Sequence, residues 1–285
     1  MKLYNILSTI KHTTPFPRRE GLGMGLFGLC LLCFTACETI DEADRWTEPA
    51  PVEMKKNVLV EDFTGQNCVN CPAAAELIHN LCATKMGEHI VAVSIHGGAM
   101  SIDATKSPFG LALPIGEEYN KHWGIQAWPS GIIDRAGGVK DVPSWSSSIV
   151  ERMSKDLVVD LTANVSFDID TRTASISVTA TEGVTSDMRL TVWLTESKIE
   201  GRQKFTDHED DKYVHNHVLR DCLTDPYGDA LTNGQWSKTY QIPKGYGMGE
   251  RIASLNAKPE NMAVVTFITD KNGEVLQVID MPLVK

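Results

Sequence analysis

The feature that most restricts this chain is Cys68-Val69-Asn70-Cys71, placed between a strand-like run and a helix-like run. Val58-Leu59-Val60-Glu61-Asp62-Phe63 is short, apolar and rich in β-branched residues, and it stops at Thr64-Gly65, as a buried strand does. Pro72 opens the next segment, in which Leu77, Ile78, Leu81, Cys82 and Met86 share one helical face before Gly87 ends it. The two cysteines therefore sit where a strand turns into a helix. Their spacing lets the sulfurs bridge across one turn, and the free N–H groups and dipole of the helix start stabilise a thiolate. Cys68 is then the candidate attacking thiol and Cys71 the resolving one. Half of a zinc site is an alternative, although no second Cys-x-x-Cys completes four ligands. A static structural disulfide is another.

The following residues extend the pattern. Residues 89–97 read as a second buried strand and 116–124 as a short helix. Residues 136–138 (Ala-Gly-Gly) read as a hairpin turn and 144–157 as a closing helix after Pro143. With these elements, residues 55–157 resemble a thioredoxin-like domain. The resemblance maps the segment Gly124 to Asp134 onto the stretch leading into that family's cis-proline. It implies that Pro129 lies beside the disulfide and keeps the backbone open for a substrate strand. It also implies that Asp62, six residues before Cys68, is a buried acid handling protons for the inner cysteine; a hydrogen-bonded strand terminus is the other reading of Asp62. Residues 98–115 read as an insertion, with Met100, Phe109, Leu111 and Leu113 as apolar candidates to cap the site. Cys82, eleven residues beyond Cys71 on one helix, is out of disulfide reach of it and reads as a core thiol; Cys222 reads as free or buried.

The N-terminus addresses the compartment. Residues 21–36 carry no charge and follow Arg18-Arg19, the order of an export signal. At about 1.5 Å per helical residue the run is short of the roughly 30 Å needed to span a bilayer. It ends Phe34-Thr35-Ala36-Cys37, which resembles the lipobox of bacterial lipoproteins and implies cleavage before Cys37 and a lipid on it. A plain signal peptide with Cys37 buried is the alternative. Glu38, Asp41, Glu42 and Asp44 form an acidic cluster resembling the surface-export signal of Bacteroidetes-type lipoproteins, and residues 37–54 read as an acidic tether. The chain carries a formal charge of −10, which argues against a nucleic-acid partner.

Beyond Asp156 the helical signals stop. Residues 158–168, 173–181, 189–196, 213–221, 238–242, 262–269 and 275–280 each alternate or run β-branched, separated by turn clusters. Over residues 158–285 that suggests an immunoglobulin-like all-β sandwich, so the expected fold is an α/β thioredoxin-like domain followed by a sandwich. His215 and His217, in the run YVHNHVLR, would share one strand face at a spacing compatible with a metal; a polar strand face is the plainer reading. No serine elbow, phosphate loop or zincin helix is present, and no cofactor is called for.

The lipobox, the stretch VLVEDFTGQNCVNCP (Val58 to Pro72), the Trp128-Pro129 segment and YVHNHVLR together resemble the outer-membrane-protein-28-related lipoproteins. That resemblance implies a lipid-anchored protein of the outer membrane or cell surface, attached to the membrane through Cys37. Its expected activity is thiol–disulfide exchange with exported proteins or small disulfides, recharged by an unidentified redox partner. The alternative is a non-catalytic surface binding or adhesion protein in which Cys68–Cys71 is a structural bridge.

Overall fold

A strand buried at every residue needs both faces covered and both edges bonded, and β1 (Val58–Thr64) is such a strand. It pairs in parallel with β2 (Ile90–His96) and antiparallel with β3 (Ser130–Ile133), with Asp62 opposite Ser94 and Ser130 opposite Phe63. The computed structural model describes residues 53–285. The export signal, Cys37 and nearly all of the acidic tether lie outside the described residues.

Two helices cover one face of this unit. α1 (Cys71–Cys82) and α3 (Trp145–Met153) place Ala74, Ile78, Trp145 and Ile149 against Val58, Val60 and Ala92. α1 stops at Cys82 rather than continuing to Met86, and residues 85–89 form a short 3-10 turn. A third helix, α2 (Pro114–His122), sends Tyr119 to the opposite face.

Nine strands follow. β4 (Asp160–Asp168), β5 (Thr173–Thr181) and β10 (Gln235–Gln241) make a three-stranded antiparallel sheet in the order β10-β5-β4. β6 (Arg189–Glu196), β9 (Val218–Cys222), β11 (Met262–Thr269) and β12 (Val275–Pro282) join the first three strands in one mixed sheet of order β12-β11-β6-β9-β2-β1-β3. Among the described residues, β7 (Ile199–Lys204) and β8 (Glu209–His215) pair only with each other. Alternation along β4 and β5 aims Leu161, Val165, Ile176 and Val178 at Leu190, Val192, Leu194 and Val264 of the large sheet. This part is sheet packed on sheet, as the sandwich expectation requires. Strands predominate throughout.

The boundary expected at 157/158 does not separate two compact units. Residues 51–285 cluster as one, and the joint is the parallel pairing of β2 with β9 at Ser94 and Val218. The large sheet also curls until β12 meets β1: Asn57 Nδ2 donates to the Val278 carbonyl at 3.0 Å, and the Val275 N–H donates to the Asp134 carbonyl at 2.8 Å. Inside the curl, Leu59, Phe63, Val93 and Ile95 pack with Trp193, Val265 and Phe267. Fully burying an apolar side chain of this size contributes about 1.5–3 kcal/mol. Arg135 enters the same interior and donates two 3.1 Å hydrogen bonds to Glu61, with its guanidinium beside the rings of Tyr119, Trp193 and Phe267. The buried charge is tolerable because its partner is also charged and the contact is bidentate.

Candidate functional site

Between β1 and α1 the chain turns at Gly65-Gln66-Asn67. A Cβ on Gly65 would stand 2.3 Å from the Met100 carbonyl oxygen, so that close approach demands glycine. Gln66 is fully buried and ties the turn to the segment before α2: its Nε2 donates to the Phe109 carbonyl at 2.9 Å, and its Oε1 accepts from the Leu111 N–H at 3.1 Å. Cys68 and Cys71 are disulfide-bonded across the first turn of α1, with Cα atoms 5.4 Å apart. They are 4% and 2% exposed, so neither reaches the surface freely; between them Val69 and Asn70 are exposed.

The register of β1 and β2 fixes what lies on the α1 side of the sheet. Asp62 and Thr64 face the same side as Ser94 and His96, at the C-terminal ends of two parallel strands. In open α/β sheets that end is where ligands bind. Asp62 is 1% exposed and its Oδ1 has no hydrogen-bond partner. Burial pushes its carboxyl up to about 7, so it holds or loses its proton near neutrality. His96 is equally buried, and neither ring nitrogen has a hydrogen-bond partner. Desolvation, aided by the neighbouring His215 and Arg220, holds His96 well below the ordinary histidine range, so the ring is neutral.

The β7–β8 hairpin, from the expected second domain, lies over this site. Gln203 is buried, and its Nε2 donates to the Cys68 carbonyl at 2.9 Å. The Lys204 N–H donates to the Gln66 carbonyl at 2.8 Å. From β8, His215 stacks edge-on against His96 with ring centroids 5.4 Å apart, and Tyr213 stands 4.8 Å from His215. Burial brings His215 down to about 4 and pushes Tyr213 up, the latter helped by the charge on Asp62. Asp62, Cys71, His96, Tyr213 and His215 all line one cavity of roughly 870 Å³ between α1 and the hairpin. Of the two cysteines, Cys71 lines it.

The remaining sequence candidates fall as follows. The Trp128–Pro129 bond is cis, and Pro129, half-buried, precedes the Ser130 that pairs with Phe63 near the end of β1. The Trp128 ring lies on Gly98, where a Cβ would approach it to 2.4 Å. His215 and His217 do not share a strand face: β8 ends at His215, and His217 sits in the turn to β9 with φ 55°. Among the described residues no group of three or more His, Cys, Asp or Glu is arranged to hold a metal ion. Cys82 and Cys222 are free and half-buried. Gln66, His96 and Gln203 are site residues that the sequence reading missed. His96 closes an apolar strand, a weak signal, whereas Gln203 carries no signal at all.

Comparison with known proteins bears on the fold and the family. No curated protein matches the chain in sequence. The solved structure of HBP35 of Porphyromonas gingivalis superposes with a TM-score of 0.60, covering 81% of this chain and 76% of that one. At 16% identity this likeness is one of fold. The family model of outer membrane protein Omp28 matches residues 116–283, more than half of the chain and including both β2's partner strand β9 and the hairpin over the disulfide. The chain belongs to the Omp28 outer membrane protein family and is a protein of the outer membrane or cell surface.

Proposed function

We propose that this protein is a lipid-anchored thiol–disulfide oxidoreductase of the cell envelope, with residues 55–157 forming a thioredoxin-like part and Cys37 carrying the lipid. The observation that carries the reading is Asp62: a buried, unpartnered carboxyl poised near neutrality, facing the same cavity as Cys71. In the reduced form the Cys68 thiolate attacks a substrate disulfide, forms a mixed disulfide and releases the first substrate thiolate, which takes up a proton. Cys71, giving its proton to Asp62, then attacks the Cys68 sulfur and releases the second thiol. The Cys68–Cys71 pair ends oxidised and the substrate reduced. In this reading Pro129, which precedes the Ser130 paired with Phe63, keeps the backbone open for the substrate strand, and the substrate is an exported protein or a small disulfide.

A second reading also has an observation in its favour. Both sulfurs are almost fully buried, and Gln203 holds the Cys68 carbonyl, which suits a structural bridge in a surface scaffold. Equilibration of the Cys82→Ser, Cys222→Ser chain in graded redox buffers, followed by thiol trapping, separates the two. A reversible midpoint in the roughly −270 to −120 mV range supports exchange, whereas a pair still oxidised below about −300 mV refutes it in favour of the scaffold.

A further inference from the structure

Residues 199–215 (β7, β8 and the turn between them) contribute no side chain to any of the three apolar cores of the described residues. Along β7 only Gln203 is buried, and along β8 only His215. A segment without an apolar anchor is held by its polar contacts, and here these are few. Among the described residues, every hydrogen bond from 199–215 to the rest of the chain ends on the turn that carries Cys68. Gln203 Nε2 donates to the Gly65 and Cys68 carbonyls, the Lys204 N–H to the Gln66 carbonyl, and Gln66 Nε2 to the Arg202 carbonyl. His215 adds its edge-on ring contact with His96. Between the hairpin and α1 lies the cavity of roughly 870 Å³ rather than packed side chains.

The base of the hairpin is built differently. Ser197 is fixed to the body by donating its N–H to the Asn261 carbonyl at 2.9 Å, and His217 by accepting the Ser94 N–H at 2.8 Å. At these two ends Lys198 and His217 have φ of 58° and 55°, in the left-handed region that side chains seldom occupy. Residues at element ends that hold unusual backbone angles are where hinges form. Asn216 Oδ1 accepts the Lys198 N–H at 3.1 Å and Ser197 Oγ accepts the His217 N–H at 3.0 Å, which ties the two ends side by side. Within the arm, Phe205 stacks on His208 and meets Tyr213, and Arg202 pairs with Glu209. The result is a stiff arm with a paired base and a small polar seat, and the seat is the disulfide turn.

We propose that the β7–β8 hairpin is a hinged lid that swings as one unit about Lys198 and His217 and, when lifted, opens Cys68–Cys71 to the partner with which the pair exchanges. As a gate on exchange it rests on the redox reading of the pair; the motion is judged by a rate and that reading by a midpoint, so either fails alone. The test uses the full chain in detergent with Cys82→Ser and Cys222→Ser and with Cys68–Cys71 oxidised. Glu76→Cys on α1 and Val214→Cys on β8 place thiols at two exposed positions on the cavity walls, and a short bis-iodoacetamide linker, located by peptide mapping, joins lid to helix. Glu200→Cys with Val214→Cys, a cross-strand pair, staples the hairpin to itself with the same linker. Each is compared with the same variant capped by iodoacetamide, and the readout is the rate at which a water-soluble phosphine reduces Cys68–Cys71. The lid-to-helix link should slow reduction by about tenfold or more, whereas the staple should leave the rate of its capped chain unchanged. Equal rates in the linked and capped chains would overturn the proposal. So would a staple that slows reduction as much as the link, because the two strands would then be separating rather than swinging together.

Discussion

Replacing Asp62 by asparagine tests the state of the buried carboxyl directly, because an amide cannot titrate. Burial raises the Asp62 carboxyl from its ordinary 3.8 to about 7. Below pH 3.8 it is protonated in both the folded and unfolded chain and imposes no charge penalty. As pH rises from there, the unfolded chain ionises while the folded chain must stay protonated, so stability falls with pH. Above pH 7 the folded carboxyl ionises too, and the loss is complete. At about 1.36 kcal/mol per pH unit, a shift of roughly three units corresponds to about 4 kcal/mol. The introduced amide carries its own cost, since its donors are buried too, but that cost does not depend on pH. The readable quantity is therefore the difference between the two chains as a function of pH. Urea unfolding of the oxidised proteins from pH 3.5 to 8.5 should show the variant gaining about 4 kcal/mol on the parent, or roughly 10 °C in melting temperature. Groups unaffected by the substitution cancel in the difference. Tyr213, which feels the Asp62 charge, titrates above this window. A difference that stays flat across the range would mean that Asp62 ionises normally in the folded chain, and the proton-handling role would lose its physical basis.

Two further outcomes probe the hairpin and the continuous sheet. Gln203→Ala removes the amide that holds the Cys68 carbonyl at 2.9 Å, and the Cys68–Cys71 disulfide should then be reduced by dithiothreitol several-fold faster with little change in melting temperature; an unchanged rate would mean that Gln203 does not guard the pair. A fragment of residues 53–157 lacks Trp193, Val265 and Phe267, which cover Leu59, Phe63, Val93 and Ile95 from the other half of the chain. It should be aggregated or molten by near-ultraviolet circular dichroism, whereas a monomer with a cooperative melt would restore the two-domain organisation.

The parts of the fold legible in the sequence are those set by neighbours along the chain. β5, β6 and β11 occupy the stretches their alternation marks, and α1 begins at Cys71 beside Pro72. Errors arise where local pattern and tertiary need diverge. Residues 213–221 read as one strand because Tyr213, His215 and Val218 to Leu219 suit one, but Asn216 and His217 turn the chain so that β8 can pair with β7 while β9 enters the large sheet. β7 itself, Ile199-Glu-Gly-Arg-Gln-Lys204, contains a single apolar residue and has no periodicity to detect. Among the described residues its only strand partner is β8, so the pairing asks for no apolar face.

The continuity of the sheet across the expected boundary at 157/158 went unread for the same reason. A period-two pattern says that a strand has a buried face but not which strand lies beside it. Val218, 124 positions after Ser94, pairs with it, and no property of either residue announces the match. That pairing has a chemical consequence. With β9 seated against β2, the hairpin that precedes β9 must cross the C-terminal ends of β1 and β2, and it brings Gln203, Tyr213 and His215 over Asp62, His96 and the disulfide. A bare Cys-x-x-Cys on a strand–helix junction would leave its sulfurs and its buried acid open to water. Here a distant segment dries the site, and it is this burial that lifts the Asp62 carboxyl to about 7. The motif supplies the sulfurs, but the proton affinity of the site is a property of the whole sheet.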